Sequence, residues 1–220
     1  MNKSIFFVLG GLLLITLFVC PLVLAADPGG TDVSGQLTKD NPIIVDKAGK
    51  SIRLLAEVNG KYFFQPTRHA VVSKNGSNGD KSVFGAFAEP QAFCDGLLQI
   101  GAKAGENMTL ANKETTRVKG DVLDVTVTWP GAKKSYTLDE VIKDSNKKPI
   151  VMRFGGNLAT AKDKKTGCLL CLDSCPVGIV SNDAYTYGAV EKRKEVTFMG
   201  NKDVLPKDGT QVVVTIKLKK

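Results

Sequence analysis

Past residue 40 the chain breaks into short apolar-rich runs separated by turn signals, a pattern of strands rather than long helices. Pro42-Ile43-Ile44-Val45 and residues 51–58 flank an Ala48-Gly49 turn. Asn59-Gly60 follows, the strongest short hairpin signal, and leads into Lys61-Tyr62-Phe63-Phe64. Residues 68–72 form a further short run, closed by Asn75-Gly76 and Asn78-Gly79. Within 121–129, Val122, Leu123, Val125, Val127 and Trp129 interleave with Asp124, Thr126 and Thr128, as a half-buried strand requires. Residues 134–138, 149–154, 195–199 and 211–216 predict four more strands, the last two parted by a turn at 206–209.

One segment carries the helical period. Pro90 suits a first turn, Phe93, Cys94, Leu97, Leu98 and Ile100 recur near helical spacing, and Gly101 is a stop. A short helical turn over 138–143 fits between two strands, and no internal repeat is evident. These elements predict an α+β fold, predominantly antiparallel β, built as a sandwich or open barrel with one or two short helices.

Residues 1–25 read as a signal peptide. Lys3 precedes an almost wholly apolar stretch over 5–19, and Val23-Leu24-Ala25 stands before a cut ahead of Ala26. Left uncleaved, the same stretch is a membrane anchor near the lower length limit for a span; Pro21 and the small Ala25 favour cleavage. Bulky Phe18 and Val19 argue against Cys20 as a lipidation site, and no twin-arginine pair precedes the apolar stretch, so export in the unfolded state is expected. Residues 26–40, rich in Gly, Asp, Ser and Thr, form a flexible leader, and 41–220 a single domain. The formal charge of +8 falls by one when Lys3 leaves, and the lysines are scattered apart from 162–165 and 191–194. Scattered lysine serves solubility, and an exported chain excludes nucleic acid as a partner. The expected location is periplasmic or extracytoplasmic, with membrane contact only through an uncleaved N-terminal segment.

Candidate chemistry concentrates in Gly167-Cys168-Leu169-Leu170-Cys171-Leu172-Asp173-Ser174-Cys175-Pro176-Val177-Gly178, where three of the chain's 5 cysteines lie close together. Cys168, Cys171, Cys175 and Pro176 reproduce the last three cysteines and the proline of the ferredoxin run C-x2-C-x2-C-x3-C-P. Where the first cysteine of that run belongs stands Lys165. An iron–sulfur reading makes Cys168, Cys171 and Cys175 thiolate ligands of a one-electron centre, with Cys94 brought in by the fold as the fourth or an iron left open. Zinc is the other metal: three thiolates and His69, the single histidine, make a closed tetrahedral set.

A third reading needs no metal. Loss of Cys20 leaves an even number of cysteines, which suits disulfides in an oxidising compartment. The candidates are a structural bridge from Cys94 to Cys168 or Cys175, or an exchange-active Cys168-x-x-Cys171 pair. Export of an unfolded chain sits badly with a preassembled cluster, so location and ferredoxin spacing pull apart. The polar segment 181–191, with Tyr185, Tyr187 and Glu191, is a candidate pocket wall above the cysteine loop. Phe154-Gly155-Gly156-Asn157 is a tight turn without the spacing of a phosphate loop. No Ser or Cys is linked to His69 in the manner of a hydrolytic triad, and no catalytic residue is assigned.

Glu57-Val58-Asn59-Gly60-Lys61-Tyr62, Pro66-Thr67-Arg68-His69-Ala70, Ile100-Gly101-Ala102-Lys103-Ala104-Gly105-Glu106-Asn107, Gly155-Gly156-Asn157 and the block over 167–191 resemble YdjY-type exported bacterial proteins. The resemblance covers nearly all of the region after the leader. It implies a YdjY domain, an exported location and, from the cysteine-rich members, a ferredoxin-like character. The expected function is that of an exported redox protein, passing electrons through an iron–sulfur or other metal centre to a redox partner protein in the cell envelope. The alternative is a non-enzymatic envelope binding module whose cysteines are bridged and whose pocket is 181–191.

Overall fold

A computed structural model describes residues 37–219. The expected signal peptide lies outside the described residues, as does most of the 26–40 leader. In chain order the strands and helices begin with β1 (Ile43–Asp46), β2 (Ser51–Val58), β3 (His69–Ser73), β4 (Phe84–Ala86) and α1 (Pro90–Gln99). They continue with β5 (Val122–Thr128), β6 (Tyr136–Thr137), α2 (Leu138–Val141), β7 (Ile142–Asp144), β8 (Met152–Phe154) and α3 (Leu158–Lys164). The last are β9 (Cys168–Cys171), β10 (Val180–Asn182), β11 (Phe198–Gly200) and β12 (Gln211–Leu218).

The long strands follow their side-chain pattern. In β5, Leu123, Val125 and Val127 are buried while Asp124 is exposed. In β12, Val212, Val214 and Ile216 join the core. Helix α1 opens with Pro90 and buries Phe93, Cys94 and Leu97; Gly101 after it takes φ +85°, the left-handed turn that ends a helix. Gly96 lets this helix lie close on the sheet, since a Cβ there would stand 3.3 Å from methyls of Ile52 and Val45. Asn59-Gly60 does not make a hairpin. Asn59 instead caps a single 3-10 turn, Gly60–Phe63, by accepting from the Lys61 amide. The Gly60 amide is held by Asp208 Oδ1 at 2.7 Å. A local side-chain bond thus outcompetes the strand.

Sheet closure overturns the expected architecture. Neighbouring strands run β2, β12, β5, β8, β10, β9, β3, β4 and back to β2, so that eight strands form a closed barrel. It is mixed rather than antiparallel: β3 pairs with β4 and β9 with β10 in parallel. The sandwich or open barrel is therefore corrected to a closed mixed barrel with a few short helices. Alternation along a strand reports which face is buried, not which strand lies beside it. Closure rests on the β2–β4 pair, Ala56 opposite Ala86, and on two parallel links shorter than the dozen residues such crossovers usually take. One of these links, residues 172–179 between β9 and β10, carries Cys175.

The interior divides. The large cluster contains Phe84, Phe93, Phe154, Leu169 and Leu170 among many others. A small cluster sets Val72 with Cys168, Cys171 and Cys175, flanked by Val177 and Tyr187. Burying a side chain such as Phe154 contributes about 2–3 kcal/mol, so the large cluster holds the barrel.

Candidate metal centre

The site begins with an irregularity in strand pairing. Strict alternation would send Cys168 and Cys171, three residues apart, to opposite faces of β9. Here Leu169 and Leu170 both face the main core, while both cysteines face the small cluster. The facing strand β3 shows why: its register against β9 shifts twice, between His69 and Val71 and again between Val71 and Val72. Bulges of this kind re-aim side chains. As a result His69 stands opposite Cys171. Its Nδ1 lies 3.6 Å from Cys168 Sγ and 3.9 Å from Cys171 Sγ. The donor atoms of His69, Cys168 and Cys171 all fall within 4.8 Å of one another, and all three residues are buried.

Cys175 is returned to this group by the tight link from β9 to β10, which is fastened along its length. Leu172 N donates to Arg68 O at 2.8 Å, and Ser174 N to Tyr185 O at 2.9 Å. The Ser174 hydroxyl accepts from Val118 N and donates to Asn182 O. Asn157 Nδ2 spans the far end, donating to Cys175 O at 3.0 Å and Gly178 O at 2.9 Å. Gly178 is required by contact: a Cβ would stand 2.9 Å from both Cys171 Sγ and Ser181 Oγ.

Under the loop lies an ion pair. Arg68 Nε donates to Asp173 Oδ1 at 3.1 Å and a second guanidinium nitrogen to the same oxygen at 2.5 Å. The Gly188 amide donates to Asp173 Oδ2 at 3.1 Å. The guanidinium also sits 4.2 Å from the centre of the Tyr187 ring. Exposure is 6% for Arg68 and 0% for Asp173, so each charge depends on the other. Burial pushes the Asp173 carboxyl above its usual range even against the pull of Arg68.

The three thiols are unequal. Cys168 is pulled down to about 4, first by the hydrogen bond from Cys171 and then by His69, against the cost of burial. Cys175 is also lowered, by Cys171 and, after the opposing cost of burial, by the charge of Arg68. Cys171 is raised, because it keeps its proton and shares it with both neighbours. Two sulfurs with thiolate character, a third thiol and an imidazole nitrogen form a donor set for a soft or borderline ion. For the His69 nitrogen and the sulfurs of Cys168 and Cys171 the separations approach those of one tetrahedral ion, whose bonds of about 2.3 Å to sulfur and 2.0–2.1 Å to nitrogen place donors about 3.5–3.8 Å apart.

The predicted residues separate accordingly. His69, Cys168 and Cys171 converge, with Cys175 adjoining. Cys94 lies elsewhere, on α1 in the main core cluster, and is not one of the converging donors. Burial pushes its thiol up to about 11. The four described cysteines are all free thiols. Of the 181–191 wall, Tyr187 and Glu191 border the cleft over Cys168 and Cys175. Sequence reasoning did not single out Arg68 and Asp173, which are far apart in the chain. Their only signal was Arg68 beside His69, in a strand that reads as ordinary. Among the described residues no helix is long and apolar enough to cross a membrane.

Comparison with known proteins bears on the family. The model of the YdjY domain matches residues 43–217. A protein of Escherichia coli (strain K12) named "Uncharacterized protein YdjY" is 56% identical over 182 residues, covering 83% of this chain and 81% of that relative. No solved structure matches. Matched along most of its length by both, this chain belongs to the YdjY domain family.

Proposed function

We propose that this protein binds a single ion of zinc type in the cell envelope, with His69 Nδ1 and the thiolates of Cys168, Cys171 and Cys175 as its donors. One observation carries the reading: a lone imidazole nitrogen within 3.6 and 3.9 Å of two buried sulfurs. Those separations suit donors sharing one ion. In an iron–sulfur cluster the thiolates go to different irons, which spreads the sulfurs wider. A single ion also removes the conflict with export, because it is taken up as the site folds after crossing, whereas a preassembled cluster has to be carried. The extracytoplasmic location rests on the reading of residues 1–25. Four protein donors make a closed site of structural type, in which the ion would pin the 172–179 link to β3.

The spacing Cys168-x2-Cys171-x3-Cys175-Pro176 favours a second reading, a one-electron iron centre on the same donors serving a redox partner in the envelope. Intact mass and metal analysis of protein isolated anaerobically from its own envelope separate the two. One zinc per chain, lost on denaturation, is the expected result. Iron with labile sulfide would replace it by the second reading. No ion, with a denatured mass short by the hydrogens of two disulfides, would sink both and leave a bridged binding module.

A further inference from the structure

Above the cysteine floor opens a cleft of about 480 Å³, within the range of small-ligand sites, roughly 300–1,000 Å³. Cys168, Cys175 and His69 form its floor, and Leu110, Pro176 and Val177 an apolar side. Leu110 is 50% exposed, so its side chain is open to the cleft. The rim carries Lys81, Lys113 and Lys164 against Glu191, above the floor sulfurs of Cys168 and Cys175 with their thiolate character.

The cations differ in what they are free to do. Arg68 is matched by Asp173, and Lys164 pairs with Asp163 at 2.8 Å. Lys81 and Lys113 pair with no carboxylate among the described residues. Both are nonetheless held: Lys81 Nζ donates to Asn78 Oδ1 at 3.1 Å, and Lys113 Nζ lies 4.4 Å from the centre of the Tyr187 ring. In the same cleft the Thr166 side chain stands beside Cys168, and its hydroxyl helps to stabilise that thiolate. A pair of positioned ammonium groups without a carboxylate partner and an apolar side wall line one space.

We infer that this cleft binds a small organic anion, its phosphate or carboxylate head between Lys81 and Lys113 and its apolar body against Leu110, Pro176 and Val177. The inference shares a floor with the proposed metal centre but does not rest on the ion.

Titration calorimetry of the protein as isolated, with phenyl phosphate, benzoate and uncharged phenol, tests it. Saturable binding of at least one anion and none of phenol is expected, and the tighter anion identifies the head group. Lys81→Ala and Lys113→Ala should each weaken it by about fivefold or more, the scale of a lost charge-assisted hydrogen bond. Lys134→Ala, at an exposed ion pair with Glu140 outside the cleft, should leave it unchanged. No saturable binding in protein that carries its ion removes the cleft ligand and spares the metal reading. Equal affinity in Lys113→Glu and wild type also overturns the assignment. Anion binding retained in folded Cys168→Ser that has lost its ion leaves the cleft standing on its own.

Discussion

Cys94 and Cys168 are both buried, at 4% and 0% exposure, yet their thiols shift in opposite directions. On α1, desolvation is the largest influence on Cys94, and its thiol rises to about 11. At the start of β9, Cys168 is desolvated as well, but the Cys171 hydrogen bond and His69 outweigh that and bring it down to about 4. Burial alone turns a cysteine into a small inert hydrophobe; burial among donors turns it into a ligand. The difference lies in the strand pairing. A regular β3–β9 register would have divided these groups between two faces, and the two register shifts collect them on one.

The most direct way to break this comparison is to remove a ligand from each side. His69→Ala and Cys168→Ser should each abolish stoichiometric ion binding, a loss beyond the ~10–100-fold that an outer partner's removal costs. Cys94→Ala should retain one ion per chain, as read by native mass. Retention of the ion in His69→Ala would dissolve the distinction.

The next largest effect concerns the ion pair beneath the loop. Asp173→Ala leaves the Arg68 guanidinium buried without its carboxylate and should cost about 3–5 kcal/mol in urea unfolding. The double change Arg68→Met with Asp173→Leu should recover most of that loss, since no unpaired charge stays behind. Failure to recover would mean that the pair fixes the loop's conformation rather than merely balancing charge. A smaller loss, about 1–3 kcal/mol, is expected for Gly178→Ala, whose new methyl meets the Cys171 and Ser181 side chains. The alkylation rate of Cys94, in the other cluster, should not change with it.

These two neighbourhoods were not equally legible in the chain. Helix α1 was, because Pro90, the apolar spacing and Gly101 are local signals that decide local structure, and Cys94 sits where that pattern put it. The cysteine spacing marked Cys168, Cys171 and Cys175 as a group, and the lone His69 was named with them. What stayed hidden was long-range. No local pattern reveals that β3 faces β9, that β9 and β10 run parallel across so short a link, or that Arg68 reaches Asp173. Cys94 entered the ligand set because counting cysteines carries no distance. Closure of the barrel was hidden for the same reason: β2 meets β4 through a pairing that neither strand's own alternation encodes.

The smallest expected effect sharpens the comparison through pH. A thiol whose folded pKa lies above its unfolded value favours the fold as long as it keeps its proton. For Cys94 that contribution is fully present below about pH 9 and is lost as pH rises through about 11. Lysines and tyrosines titrate over the same interval, so wild type must be read against Cys94→Ala, which lacks this one group. The urea midpoint of wild type should therefore fall more steeply between pH 9 and 11 than that of the variant, while the two run parallel between pH 6 and 8. Iodoacetamide should follow the same course at Cys94, its rate climbing about tenfold per pH unit up to pH 11, because only the thiolate reacts. Parallel midpoints throughout, or rapid modification at pH 8, would mean that the α1 environment does not hold the thiol protonated. The contrast with the β9 cysteines would then rest on their partners alone, not on any penalty that burial imposes.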